Sequence, residues 1–495
     1  MDSLREIGEQ LRGRGPLGVA LAEYLATRLD VLTPAQAARV GQPAHVAPAS
    51  PASKTVPGPS APAATPFVAV RKRFSEDFGR RVEDVFAAFE SEPFEVGPLF
   101  QWHRARLASG EPVVCKTRHP EIEAELGAGP AVTARVEAEL RRLPERWTSK
   151  QRSRLAGEFV AALEHALDLN REAGDLITLR ERFEDLKLVT ASAVFDEASG
   201  ERFLTIADLG GATLSQVAER GAEDRSRLAR RACRAWLRAV LVASRVPVAP
   251  AGQGLLLLAD GAVAFAGGPF HELPGRVRAR LGRYLSATAI EEHDSQLDEL
   301  IALGAPMSRR GEGRLRHVLR HTEPFRDGEW EPESDRLASH ALTQWRQAVH
   351  LGFRPRPELV SFLRGLAVMT RQVAALAPEQ SSFKEAYQET RLHELFTESS
   401  RFSVGAAAMP LAALPAKLDR ALRRATRDRT RSRRPKARDR DPAGSWRLTA
   451  ALLLALGAVA LLVHYVAPLS SSPAWIEGAG FLAMLALGGN LFRLA

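Results

Sequence analysis

The stretch LFQWHRARLASGEPVVCKT, Leu99 to Thr117, decides how the chain is read. Two runs of mostly apolar and alternating residues flank ASGEP, Ala108 to Pro112, whose Ser, Gly and Pro favour a turn, so the segment is predicted to be a β-hairpin. It places one amine, Lys116, at the inner end of the second strand. A lysine ending a strand is ordinary, and what surrounds it narrows its meaning. Downstream, a long helical region from Ala131 to Leu179 contains EFVAALEHALDLNREAGDL, in which Glu164, Asp168 and Glu172 recur every fourth residue. That spacing predicts three carboxylates on one face of a single helix. VTASAVFDEASGERFLTIADL, Val189 to Leu209, reads as a second hairpin, Asp224 to Arg245 as a helix, and the segment around Phe74 to Phe89 as helical.

A last hairpin is predicted in PVAPAGQGLLLLADGAVAFAGGPF, Pro247 to Phe270, where LLLL and AVAFA are joined by Asp260-Gly261, the stretch's sole ionisable side chain and its neighbour. Lysine on an early strand, an acidic helix, a hinge strand, a large helix and a late hairpin follow the order of parts in a protein-kinase fold. The predicted class is therefore α+β and two-lobed, with a small β-containing lobe over 67–215 and a mainly helical lobe over 216–410.

The chain has 495 residues, 45% of them hydrophobic, enough for two or three domains. Its two cysteines, Cys115 and Cys233, are too few and too far apart for a disulfide framework or a metal knuckle, which points to a reducing compartment. The net charge of +9 sits in one place: Lys417 to Arg440 holds twelve Lys or Arg against three Asp. Beyond this basic segment, assigned to 411–446, Leu448 to Ala467 runs twenty residues with His464 as the one potentially charged group, and the Gly-rich apolar stretch Ile476 to Phe492 follows PLSSSPAW. These predict a transmembrane hairpin over 447–495 with the kinase-like part in the cytoplasm, a multi-pass membrane protein whose residues 417–440 contact anionic lipids. Nucleic acid is disfavoured as a partner, because the basic run has no aromatic residue to stack on bases.

At the other end, MDSLREIGEQ is charged and lacks the apolar core of a signal peptide. Residues 1–32 form a helical extension, and the Pro-, Ala- and Ser-rich 33–66 is predicted to be a disordered linker. His317 and His321 stand four apart with Glu323 beyond, a pattern more ordinary for solvated histidines than for a metal site. Gly311-Glu-Gly313 lacks the preceding strand that a phosphate loop needs.

Phe86 to Glu123, with its phenylalanines, its Gln101-Trp-His-Arg-Ala105 strand and its Lys116, resembles the opening of the kinase-like domain of the AarF/UbiB family of atypical kinases. LDLNREA (Leu167 to Ala173), TRLDVL (Thr27 to Leu32) and the paired C-terminal apolar segments are similar to further motifs of that family. The resemblance implies a kinase-like domain beneath an N-terminal extension, tied to quinone or other isoprenoid lipid metabolism. The departures from it are specific. The family's Lys-x-Gly-Gln signature falls on Ala20 to Glu23, its alanine-rich nucleotide loop on Glu95 to Pro98, and the Glu of its Glu-x-Asp on Ala166. The aspartate that orients substrate becomes Ala249, and the metal-binding Asn and Asp become Gly254 and Gly267.

By that comparison no magnesium ligand remains. Lys116, Asp168, Glu172 and Glu164 are the residual candidates for a nucleotide pocket, and any ATP bound there is expected without magnesium. The expectation is a membrane-anchored pseudokinase acting as regulator or scaffold, with a protein partner left open. The alternative is a residual ATP-binding kinase or ATPase using Lys116 and metal ligands outside the family pattern.

Overall fold

In the computed structural model, which describes residues 3–41, 63–142, 148–220, 224–249, 252–289, 292–321, 336–377 and 382–390, the Leu99–Thr117 hairpin is the centre of the first sheet. Strands β1 (Phe86–Phe89), β2 (Glu95–Val96), β3 (Phe100–Leu107) and β4 (Pro112–Arg118) belong to it, with β1 and β2 both paired to β3. Successive residues of β4 face opposite ways. Val113 and Cys115 are buried in an aromatic layer under the Phe67–Phe78 helix, where Phe74 meets Phe86 and Phe203. Lys116 is thereby turned to the other face. Burial pushes the Cys115 thiol up to about 12, so it is a structural hydrophobe.

Two expectations fail nearby. Phe86–Phe89 is a strand, because FAAF supplies the edge partner that β3 otherwise lacks. Val189 to Leu209 is not a hairpin: β5 (Val189–Ala191) leaves for a second sheet, while β6 (Phe203–Ala207) pairs antiparallel with β4, and one bridge, Val194 to Ile206, joins the two arms. The hinge thus links the sheets instead of closing on itself.

The second sheet has the order β5-β10-β9-β7, with β7 at Ala212–Thr213, β9 at Leu255–Leu257 and β10 at Val263–Phe265; β8 (Arg245–Pro247) and β11 (Phe270–Glu272) form a separate pair. β9 and β10 form the predicted apolar hairpin, turning at Gly261 with φ 76°, where Asp260 Oδ1 accepts the Ala262 N–H. All six strand residues are buried, which explains a run with so few charges.

Helices Arg225–Leu241, Gly275–Ala289, Arg336–His350 and Pro357–Leu376 build the core of the C-terminal lobe around Trp236, Tyr284, Trp345 and Phe362. Pro357–Leu376 is, among the described residues, the one helix long and apolar enough to cross a membrane, and it is mostly buried against this core. The predicted basic segment and membrane hairpin lie outside the described residues, as do 42–62 of the predicted linker. The linker's start is ordered, which corrects the reading of 33–66. Pro34–Val40 is a helix with a Thr33–Gln36 capping box, and it buries Ala37 and Val40. At the other end of that stretch, Thr65 is buried and hydrogen-bonded to Gln101.

The extension folds as helices Ser3–Arg12 and Pro16–Ala26 and packs on the kinase-like body. Arg28, 1% exposed, donates to Asp30, to the Tyr24 hydroxyl and, at 2.6 Å, to Glu158 of the Ser149–Leu167 helix. From the opposite lobe, Arg364 Nε donates to Thr27 Oγ1 at 2.9 Å, its guanidinium 4.3 Å from the Tyr24 ring centroid. The TRLDVL segment is therefore a clasp between the extension and both sides of the cleft.

Candidate functional site

Between the lobes, Lys116 from β4 meets Glu172 from the Leu169–Phe183 helix. Nζ donates to Oε1 at 2.9 Å and to Oε2 at 2.7 Å, with the two residues only 5% and 3% exposed. The amine also lies 4.0 Å from the Phe100 ring centroid and 5.9 Å from that of Trp102. A carboxylate on one side and two aromatic faces on the other leave the ammonium neutralised and enclosed.

Ala249, Gly254 and Gly267, to which the resemblance assigns the lost catalytic and metal-binding groups, lie together and bring no polar side chain. Gly254 approaches Gly267 so closely that a Cβ on it would lie 3.0 Å from the Gly267 carbonyl and 3.7 Å from that of Ala249. Gly267 has φ 139°, and a Cβ there would stand 2.8 Å from Glu172 Oε1. That same oxygen accepts the Gly268 N–H at 2.8 Å. A side chain at residue 267 would therefore meet the Glu172 carboxylate. Among the described residues no group of three or more His, Cys, Asp or Glu is arranged to hold a metal ion.

Glu164 and Asp168 are not partners in this. The predicted continuous helix breaks at Asp168, whose φ −80° and ψ 87° end Ser149–Leu167 and begin Leu169–Phe183. Its Oδ1 accepts the Arg171 N–H as an N-cap, a local bond that Asp favours over helix interior. Both Asp168 and Glu164 are exposed, so the three-carboxylate face does not exist and Glu172 alone reaches Lys116.

The cleft is closed on two sides. Where a nucleotide loop would cover phosphates, Glu95 of β2 reaches across to the opposite lobe and accepts the Gln253 Nε2–H at 2.8 Å. On the other side the extension's Ala20, Glu23, Tyr24 and Thr27 form a wall. Between them lies a cavity of about 490 Å³ whose lining is largely apolar, with Lys116, Arg364, Arg371, His165 and His271 as its basic members and Glu23, Glu95 and Glu158 as its acidic ones. Burial, with Arg171 and His271 nearby, holds the His165 imidazole down at about 4, and burial lowers His271 as well. Burial also pulls the Arg364 guanidinium down to about 10.

Sequence reasoning did not give Gln101, His103 and His119 a role. Gln101 holds the Thr65 backbone through its N–H and carbonyl, and donates to His103 Nε2 at 2.8 Å, so His103 Nδ1–H donates to the Glu90 carbonyl. His119 takes the Thr65 hydroxyl at Nδ1 and donates from Nε2 to the Gly97 carbonyl. Burial keeps both imidazoles below their ordinary pKa, consistent with these neutral tautomers. The alternating Gln-x-His pattern was the available signal: it puts both side chains on one face of β3. His317 and His321 are linked to each other by one bond, His321 Nδ1 to the His317 carbonyl.

Residues 60–278 match the ABC1 atypical kinase-like domain. A probable protein kinase UbiB of Pseudomonas aeruginosa is 33% identical over 189 residues, 37% of this chain and 32% of that protein. The chloroplastic protein Activity of bc1 complex kinase 8 of Arabidopsis thaliana is 27% identical over 238 residues, 47% of this chain and 29% of the relative. The matched segment thus spans about a third of the length of these relatives. Among solved structures, a Mycobacterium tuberculosis protein in complex with erythromycin aligns with 64% of this chain and 84% of its own, at 16% identity and a TM-score of 0.41.

Proposed function

The chain belongs to the AarF/UbiB family of atypical kinase-like proteins, and from that premise we propose that it is a pseudokinase, a kinase-like body that binds a ligand or partner and regulates or scaffolds instead of transferring phosphoryl groups. The observation that carries this reading is the corner at Ala249, Gly254 and Gly267, which come together without one carboxylate or amide side chain among them to hold a metal ion. Phosphoryl transfer rests on metal ions and cations that neutralise the developing charge, and one such electrostatic contact is worth about 3 kcal/mol. The Lys116–Glu172 pair is one that an active kinase also makes, so it is the lack of metal-binding side chains at the corner that argues against transfer.

The setting is a membrane, through the apolar segments at Leu448–Ala467 and Ile476–Phe492 and the basic run before them, and the process is quinone or other isoprenoid lipid metabolism, as the family resemblance implies. The test is magnesium-dependent ATP turnover by the purified full chain. The expected result is none above background. Multiple turnover that disappears in Lys116→Ala would refute the reading and favour an enzyme with ligands outside the family pattern.

A further inference from the structure

We propose that the cleft binds an anionic amphiphile, its acid group on Arg371 and its apolar body along the wall between the Pro357–Leu376 helix and the N-terminal extension. This deepens the reading of the cleft as inert toward metal-bound nucleotide, and rests on it.

Pro357, Val360, Arg364, Val368 and Arg371 all line the cavity, recurring at helical spacing on one stripe of their helix. Two turns separate the arginines, about 10 Å along the axis. Arg364 has its companions, the Thr27 hydroxyl and the Tyr24 ring. Arg371 has none: it is mostly buried, and no hydrogen bond or ion pair reaches it from the described residues.

A guanidinium is never deprotonated at ordinary pH, so a buried one without a counter-charge carries a desolvation cost that an incoming anion removes. The carboxylates of the wall do not supply that charge. Glu158 serves Arg28 and Arg154, Glu95 accepts from Gln253, and among the described residues no carboxylate of the wall forms an ion pair with Arg371.

The remaining lining supplies the other half of the ligand. Ala20, Phe159, Ala162, Val248 and Val368 are apolar surface that water solvates poorly. A volume of about 490 Å³ is that of a site for a small organic molecule, larger than an inorganic anion needs. One anionic head and an apolar body fit; the three or four charges of a triphosphate exceed what Arg371 and Arg364 can meet beside the wall's Glu23, Glu95 and Glu158.

The experiment is calorimetric titration of the full chain in lipid nanodiscs with octanoate, octanol and inorganic phosphate, empty discs serving as blank. Octanoate is expected to bind at least about tenfold more tightly than octanol or phosphate, the worth of one charge-assisted contact. Arg371→Gln should remove that preference, and Arg371→Lys, with melting temperatures showing both variants folded, should keep most of it. Equal binding of octanoate and octanol, or octanoate binding that Arg371→Gln leaves unchanged, would overturn the proposal while leaving the inert cleft standing. Magnesium-dependent ATP turnover in the same discs would instead remove the premise.

Discussion

A side chain on residue 267 and the carboxylate of Glu172 compete for one space: a Cβ built on Gly267 stands 2.8 Å from Glu172 Oε1. Glu172 cannot withdraw without releasing the Lys116 ammonium and the Gly268 N–H. Gly267→Ala is therefore expected to cost about 1–3 kcal/mol, from the φ of 139° and the contact together. In a Glu172→Ala background the contact is gone and the penalty should shrink. Strictly additive losses in denaturant unfolding would show that the two positions do not interact.

The clasp of the extension makes a second expectation. Arg28→Ala strands Asp30, fully buried, without its cation, and breaking such a pair costs about 3–5 kcal/mol. Hydrogen exchange should rise across residues 16–41 while the β3–β4 hairpin stays protected. Uniform loss of protection would mean the extension and body unfold as one unit.

Much of this architecture was legible in the sequence. Alternation and turn chemistry gave the Leu99–Thr117 and Leu255–Phe265 hairpins, because both are local and their registers follow from their turns. Long-range pairing was not legible. Nothing in FAAF or VTA says that one joins β3 and the other runs parallel to β10. In the site, Ala249, Gly254 and Gly267 lie near one another, but a period of four residues misled. Asp168 capped a new helix, as aspartate does when its carboxylate can take a backbone N–H, and one continuous acidic face became one buried ion pair. That Glu172 would accept the Gly268 N–H depends on a close approach of 96 residues in sequence separation, which no local pattern encodes.

Acid should weaken the fold through its buried imidazoles. His165 protonates near 6.5 when unfolded but only at about 4 in the fold, so the unfolded chain binds the extra proton in between. Its contribution is complete above pH 6.5 and is lost as pH falls toward 4; His103, His119 and His271 shift in the same direction. Asp175 and Glu125, raised by burial, act oppositely, so the readout is the difference between variants. Denaturation midpoints of His165→Gln should fall less than those of the parent between these pH values. Parallel curves would contradict the assignment.

At the membrane, the twelve basic residues of Lys417 to Arg440 should bind vesicles containing phosphatidylserine at about 1 kcal/mol per residue near the surface. Replacing Arg429, Arg431, Arg433 and Arg434 with Gln is expected to weaken binding and flatten its salt dependence, and deleting 447–495 to release the chain from membrane fractions. Unchanged sedimentation after both changes would place the attachment elsewhere.

The most direct measurement is the thermal shift of the full chain with ATP, in the presence of magnesium and of a chelator. With no metal-binding side chain at Ala249, Gly254 or Gly267, magnesium should add nothing, and the two melting curves should coincide whether or not ATP itself binds. A stabilisation by ATP that requires magnesium would mean that a cation is held in the cleft after all, and the inert reading would fall.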